Sequence, residues 1–343
     1  MKTPLHTPVL LDHVLKILCH TEKQIFLDLT FGAGGHTRGL LNCNENSIVY
    51  ALDRDQNSIE LAREMAKEYP NRLFPFHGQF SELKNIFTHK QNFFHGILLD
   101  AGTSTMQLND AKRGFSFRHD GPLDMRMNTK SKSINAYDLV NRLDETALSR
   151  IIRLYGEDQR HRKIARCIYQ WRSTFGSIST TTQLANVIKV GLGGSASDVD
   201  KLNRPIHPAT KTFQALRIVV NDELNELYNG LEQAYTSKLK SIVYIRELYW
   251  KLDSYFRLLK PGGTLLCISF HSLEDRIIKR HFQGIVLHAD NVSSNLDEKS
   301  LSVQAENQVR YHLQTNKITE ADDNEIDGNP KARSAKLRYG IKI

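Results

Sequence analysis

From Gln24 to Asp100 the apolar residues fall in short runs, "QIFLDLTF", "SIVYALD", "RLFPFHG" and "HGILLDA", separated by turn-forming and charged residues. Runs of this length predict strands, and the stretch "QNSIELAREMAKEYP" between the second and third predicts a helix. Strands alternating with helices predict a parallel sheet covered on both faces.

Beyond Leu108 the alternation stops. Residues 136–190 read as helices, in "AYDLVNRLDETALSRIIRLYG", "RHRKIARCIYQWRS" and "TTQLANVIKVGLG", and end in a Gly/Ser-rich turn over 191–197. A long helix over 209–233 and another over 238–259 lead to "KPGGTLLCISF", where the strand pattern returns. The chain therefore reads as an α/β domain in two parts, 1–107 and 207–343, interrupted by a helical insertion over 108–206. The polar stretch 289–306 has little to bury and reads as a loop. With 343 residues and 40% apolar content the chain can fill a real core. Its longest apolar runs fall far short of the roughly 20 residues a bilayer span needs.

Charge sharpens the division. Residues 108–206 hold 17 Lys and Arg against 10 Asp and Glu, so this third of the chain carries nearly all of the net +8. A polyanionic partner fits that excess. In "SRIIRLYGEDQRHRKIARCIYQWR", seven basic residues, including Arg160, Arg162 and Lys163, stand against two acids, with Tyr155, Tyr169 and Trp171 interleaved. RNA backbone contact is the reading preferred to a merely solvated face. The four cysteines are scattered with no CxxC pair, so neither a metal site nor a disulfide framework is expected, and a reducing compartment fits.

"LDLTFGAGGHTRGLL" places Gly32, Gly34 and Gly35 directly after the first strand, where backbone passes close to a ligand at a helix N-terminus. A dinucleotide fingerprint would need a third glycine where Thr37 stands, which disfavours a nicotinamide oxidoreductase. Asp53 ends the second strand, placed to accept from ribose hydroxyls, and suits a nucleoside cofactor such as S-adenosylmethionine. Phe80 is a candidate for the adenine face. Asp100, at the end of the fourth strand, reads as a ligand contact, a catalytic acceptor or a cap of the loop that follows. Gly102, Thr103 and Ser104 leave room for a base, and Phe115 or Phe117 could stack on one, with core packing as the alternative. "HPATKTFQALRIVVNDELNEL" carries a buried stripe of Phe213, Leu216, Val220, Leu224 and Leu227. His207, Lys211, Gln214, Arg217 and Asn221 on its other face are either solvated or contacts to phosphate and base. Ser272 with Asp275 resembles a helix-capping pair, and His271 is a structural residue or a proton carrier.

Several of these stretches belong together. "HTPVLL", "FLDLTFGAGGHT", "ALDRD", "RGFSFRHDGPLDMRM", "HPATKTFQALRI", "LKPGGTLLCISFHSLEDR" and "NPKARSAKLR" resemble the small-subunit ribosomal RNA cytosine-N4 methyltransferases of the MraW type, nearest to their mitochondrial branch. The resemblance implies a class I S-adenosylmethionine-dependent methyltransferase, a Rossmann-like sheet with an inserted helical substrate-recognition domain. It implies cofactor contacts at Gly34, Gly35, His36, Asp53, Phe80, Asp100 and Gln107, to which the turn adds Gly32. Asp100 and Ser104 are the catalytic candidates; Arg113, Arg160, Arg162, Lys163, Lys211 and Arg217 are the RNA candidates; no metal is expected. The implied partner is small-subunit ribosomal RNA or an immature small subunit, in the mitochondrial matrix or, alternatively, a bacterial cytoplasm. Membrane association is not expected, and a homodimer is left open. Where the family has Asp-Leu-Gly, a small residue and two serines, this chain has "DAGTST", and residues 235–243 and the segment after Ala289 look inserted. A catalytically weak or silent RNA-binding assembly factor with the same fold is therefore the alternative.

Overall fold

The computed structural model describes residues 8–20, 23–130, 133–194, 198–199, 205–235, 258–283, 311–312, 318–329 and 331–343. Along the chain, helix α1 (Leu11–Leu18) is followed by β1 (Ile25–Asp28), α2 (Gly35–Asn42), β2 (Ile48–Asp53), α3 (Gln56–Glu68), β3 (Leu73–His77), α4 (Leu83–Ile86) and β4 (Phe94–Asp100). Next come α5 (Thr105–Asn109), α6 (Ala136–Arg142), α7 (Glu145–Gly156), α8 (His161–Phe175), α9 (Thr181–Gly191), the two-residue strands β5 (Asp198–Val199) and β6 (Pro205–Ile206), and α10 (Thr210–Asn221). The chain closes with α11 (Glu223–Tyr235), β7 (Leu259–Ser269), α12 (Ser272–Phe282), β8 (Tyr311–His312), α13 (Asp323–Gly328) and β9 (Lys336–Lys342).

These elements form two compact units, Thr103–Glu223 and the remainder of the chain. In the α/β unit the described strands make one sheet of order β3-β2-β1-β4-β7-β9-β8. The first five are parallel, and β9 and β8 add antiparallel pairs at the far edge. The short runs form strands because both faces are covered: Phe26, Leu27, Val49, Ile97, Leu98 and Leu99 are each at most 1% exposed. Asp55 starts α3 as an N-cap, accepting from the Asn57 N–H at 3.0 Å.

The helical unit has its own core, built from Leu148, Ile152, Ile164, Ile168, Leu184, Ile188, Phe213 and Leu216. The stretch expected to be one helix over 136–156 breaks at Leu143, where Asp144 caps α7 by accepting from the Ala147 N–H at 2.7 Å. The helix expected over 209–233 also breaks. Asp222 takes a left-handed conformation, φ +50°, and separates α10 from α11. α10 packs into the helical core through Phe213 and Leu216, so that unit extends to Glu223 and not to residue 206. Strand β7 begins at Leu259, ahead of the Gly262-Gly263 pair, and shifts register against β4 between Phe94 and Gly96. The helix expected over 238–259 and the loop expected over 289–306 lie outside the described residues, apart from the last two positions of the former.

The cysteine reading is corrected at one point. Cys19, just after α1, and Cys43, just after α2, form a disulfide with their Cα atoms 6.5 Å apart. Their separation of 24 residues concealed this, because they meet only through the packing of α1 on α2.

Candidate functional site

Three aspartates end three neighbouring parallel strands: Asp28 on β1, Asp53 on β2 and Asp100 on β4. β1 lies between β2 and β4, and the strand order reverses there. An open α/β sheet takes its ligands at such a switch point, outside the carboxyl ends of the strands.

Asp28 is fully buried and satisfied. Its carboxylate accepts from Thr37 Oγ1 at 2.7 Å and from the Thr30 N–H at 3.0 Å, while burial raises its pKa. Thr37, which excludes the dinucleotide fingerprint, thus anchors α2 to the end of β1. Asp53 accepts from the Gly32 N–H and the Asp55 N–H, both at 2.8 Å, which ties the glycine turn to β2. Burial, opposed by these bonds, pushes its carboxyl up to about 6. The Ser58 hydroxyl bonds the same carboxylate, and a carboxylate's four lone-pair sites leave one for a further donor. Gly34, at φ +80°, has no space for a side chain: a Cβ would lie 2.5 Å from Met65 Cε and 2.6 Å from Phe31 Cζ.

Asp100 differs from the other two. Its backbone N–H donates to Thr30 Oγ1 at 2.7 Å, and its Oδ2 lies 3.6 Å from His36 Nδ1. His36 is buried, with Nε2 2.9 Å from the Val9 carbonyl. Asp100 Oδ1 is buried and has no hydrogen-bond partner among the described residues. Burial pushes this carboxyl up to about 6, with nearby His36 pulling down and the negative Asp28 and Glu274 adding to the rise.

Phe80 is half-buried, and its loop is held by α11, which sequence reading missed. A Cβ on Gly230 would lie 3.1 Å from Phe80 Cβ. Gln233 Nε2 donates to the Phe80 carbonyl at 3.0 Å, Gln233 Oε1 accepts from the Lys84 N–H at 2.8 Å, and Glu226 accepts from the Ser81 N–H at 3.1 Å. These contacts join positions about 150 residues apart, so only the small residue at Gly230 hinted at a close approach. Beside β7, His271 and not Ser272 caps α12; Asp275 instead binds Arg338 on β9 at 2.7 Å. His271 Nδ1 accepts from the Glu274 N–H and Nε2 lies 3.0 Å from Glu274 Oε1, which gives His271 a structural job at the start of α12.

The helical unit gives several other candidates local jobs. Ser104 and Gln107 form a capping box at α5: Ser104 Oγ accepts from the Gln107 N–H at 3.2 Å, and Gln107 Oε1 accepts from the Ser104 N–H at 3.1 Å. That S-x-x-Q signature was legible in the sequence. Arg113 is buried and donates to the carbonyls of Arg126 and Met127, leaving no surface for a phosphate. Arg217 is clasped by Glu223, with Nε to Oε1 and Nη2 to Oε2 both 2.9 Å. Asn221 is buried between Met125 and Met127 and Gln214 donates to the Tyr155 carbonyl, so this face of α10 is not solvated. Arg160 pairs with buried Asp158 at 3.1 Å, and Lys211 is near the same carboxylate. Arg162 and Lys163 are exposed. Phe115 is buried, and Phe117 packs on His207 and Phe213 at 4.7 and 4.8 Å between ring centres, which fits their core reading.

Comparison with known sequences decides the family. The profile of the MraW methylase family matches residues 3–245 and 244–343. This chain belongs to the MraW methylase family. It is 42% identical to the 12S rRNA N(4)-cytidine methyltransferase METTL15 of Mus musculus, over 99% of this chain and 83% of the relative. To the ribosomal RNA small subunit methyltransferase H of Granulibacter bethesdensis it is 40% identical, over 98% and 91%. Among solved structures, a putative rRNA methylase from Clostridium thermocellum aligns over 98% of this chain and 99% of its own, at 10% identity and a TM-score of 0.39.

Family membership makes the α/β unit a class I methyltransferase domain whose cofactor is S-adenosylmethionine. The residues fit that cofactor on the geometry alone. A tight glycine turn leads into α2, Asp53 keeps acceptor capacity at the end of β2, and Asp100 Oδ1 is a buried acceptor without a donor among the described residues.

Proposed function

We propose that this protein methylates the exocyclic N4 of a cytidine in small-subunit ribosomal RNA. Gly32, Gly34, Gly35, His36, Asp53, Phe80, Asp100 and Gln107 hold the cofactor, and Arg160, Arg162, Lys163 and Lys211 meet the RNA. When bound, S-adenosylmethionine supplies a methyl group on a positively charged sulfur. The cytosine amine is a poor nucleophile because its lone pair is shared with the ring, so positioning and charge stabilisation must do the work.

The observation that carries this reading is the orphaned oxygen of Asp100 at the switch point. An acceptor there answers a donor, and an amino group acquires acidic hydrogens as the new C–N bond forms. A carboxylate facing those hydrogens helps more as positive charge develops than it does in the ground state. The donor is the cofactor's amino-acid end or the target amine, and Asp100 serves as binding or catalytic group accordingly. Ser104 keeps its own O–H as a donor toward the base, since its oxygen is used as an acceptor in the capping box.

The partner is an immature small subunit or its RNA. No described helix is long and apolar enough to cross a membrane. The likeness to the 12S rRNA enzyme favours the mitochondrial matrix over a bacterial cytoplasm. The test is transfer of labelled methyl from the cofactor to small-subunit RNA by the purified protein, using immature subunits and naked RNA in parallel. A second reading, a silent assembly factor, is motivated by the "DAGTST" loop. It predicts RNA binding with no label transferred to either substrate.

A further inference from the structure

His36 lies in the first turn of α2 and is buried, so its ring nitrogens need partners inside the fold. Nε2 lies 2.9 Å from the Val9 carbonyl. A carbonyl oxygen only accepts, so Nε2 carries a proton and donates it there. The turn that presents this carbonyl is held in an uncommon shape. Leu10, the next residue, is left-handed at φ +55°, a conformation a leucine seldom takes, and its N–H donates to Glu325 on α13. Backbone of this kind persists where its surroundings fix it, and it collects at functional sites. One end of the ring is thereby anchored, and the other, Nδ1, lies 3.6 Å from Asp100 Oδ2.

That approach sets a condition on protons. With the Nε2 proton committed to Val9, a bare Nδ1 facing an ionised carboxylate would set two acceptors against each other in a buried place, which costs free energy. One proton between them removes the conflict. When Asp100 is ionised the proton is on Nδ1, and the positive ring favours the carboxylate's charge across the 3.6 Å gap. When Asp100 is neutral the proton is on Oδ2, facing Nδ1. In both cases it is held on the His36 side of the carboxyl. Oδ1, buried and with no hydrogen-bond partner among the described residues, is left as a pure acceptor. Burial raises the Asp100 carboxyl, and of the charged groups around it His36 is the strongest pull downwards; Asp28 on β1 and Glu274 on α12 push up, and Lys331 pulls down. The charge of Asp28 acts on the same ring.

We propose that His36 is a positioning residue of the methyl-transfer site: anchored on Val9, it shares one proton with Asp100 Oδ2 and so keeps Oδ1 free as the acceptor that meets the ligand. This rests on the methyltransferase reading and names the group through which Asp100 is held ready. His36 acts through Asp100 and not on the methyl group or the base. The neighbouring Thr37 cannot take the role, since its hydroxyl is committed to Asp28 at 2.7 Å.

The test is a pH titration of the full chain by magnetic resonance, with carbon-13 in the aspartate carboxyls and the Asp100 signal assigned by its absence in Asp100→Asn. His36→Gln keeps an amide that can reach the Val9 carbonyl and has no donor in the place of Nδ1. Without cofactor or RNA, its Asp100 midpoint should lie about 1–3 pH units above the parent's. His36→Asn, with an uncharged donor in the place of Nδ1, should shift it the same way by less. The acid limb of kcat/KM should move up with the midpoint, so activity lost by His36→Gln near neutrality returns as the pH is raised. The same change should cost less than about twofold once Asp100 is Asn. In the parent, nitrogen-15 shifts should show Nε2 of His36 protonated throughout the titration; a neutral ring protonated on Nδ1 alone would overturn the anchoring on Val9. An Asp100 midpoint that stays in place in both variants, or activity lost equally at every pH, overturns the proposal and leaves the methyltransferase reading standing. If the midpoint moves but the parent transfers no methyl to any RNA, the underlying reading fails and His36 loses its part in a reaction.

Discussion

In the α/β unit the charges that matter are carboxylates withdrawn from water at the ends of adjacent strands, and in the helical unit they are cations held out in it. The carboxylates of Asp28 and Asp53 are fixed by hydrogen bonds of 2.7–3.0 Å to side chains or backbone around them, while that of Asp100 faces His36 at 3.6 Å and keeps Oδ1 without a hydrogen-bond partner among the described residues. Arg162 and Lys163 sit on α8 in open solvent. A buried, nearly complete network tolerates no displacement, because a group left without its partner pays its full desolvation cost. Exposed cations on flexible stems accept many geometries and are screened by salt. The small, fixed cofactor thus falls to the first region and the long, irregular RNA to the second. Single changes in the first should act steeply, and changes in the second should add up gradually.

The steepest is Asp100→Asn, expected to lower methyl transfer by about 10²- to 10³-fold. The same change should raise the melting temperature at neutral pH, since it removes a carboxylate whose ionised form the fold disfavours. Turnover under saturating cofactor, read beside calorimetry, checks the pair; a variant that loses both activity and stability would assign Asp100 to the scaffold. Gly34→Ala comes next. A Cβ at φ +80° against Phe31 and Met65 should weaken cofactor binding more than about tenfold, as measured by titration.

Acidity gives a third test. Asp53 and Asp100 both titrate near pH 6 because burial raises them. Activity needs both ionised forms, so kcat/KM should fall ever more steeply as pH drops below 6, approaching about a hundredfold per unit. Their contribution to stability runs the other way. With the folded value raised above the unfolded 3.8, it is fully present below pH 3.8 and lost as pH rises through about 6. A rate profile flat down to pH 5 would detach both carboxylates from the reaction.

The smallest expected effect is on the Phe80 loop. Gln233→Met removes two hydrogen bonds to it and should raise the KM for the cofactor about three- to tenfold with kcat unchanged. A fall in kcat alone would place the loop's role elsewhere.

The strands and the glycine turn were legible in the sequence because local pattern decides them: apolar runs ending in Asp53 and Asp100, and glycines where backbone must turn. The resemblance supplied His36, which the turn alone did not single out. What escaped reading depended on contacts between distant positions. Thr37 looked like a missing glycine, and only its bond to Asp28 explains it. Glu226 and Gln233 were not singled out, because the Phe80 loop they hold lies about 150 residues away along the chain. Arg113 and Arg217 counted as surface cations because the carbonyls and the carboxylate that engage them cannot be read from charge patterning. The inserted unit was recognised, but its end was placed 17 residues early, since the break at Asp222 carries no glycine or proline to mark it.

The most direct test of the account is to identify the modified nucleoside. Small-subunit RNA should be digested after incubation with the protein and isotopically labelled S-adenosylmethionine and resolved by mass spectrometry. The account predicts label in N4-methylcytidine from the parent protein and its near-loss with Asp100→Asn. Label in a ring-carbon or ribose-methylated nucleoside, or none with a cofactor-bound parent, would contradict it.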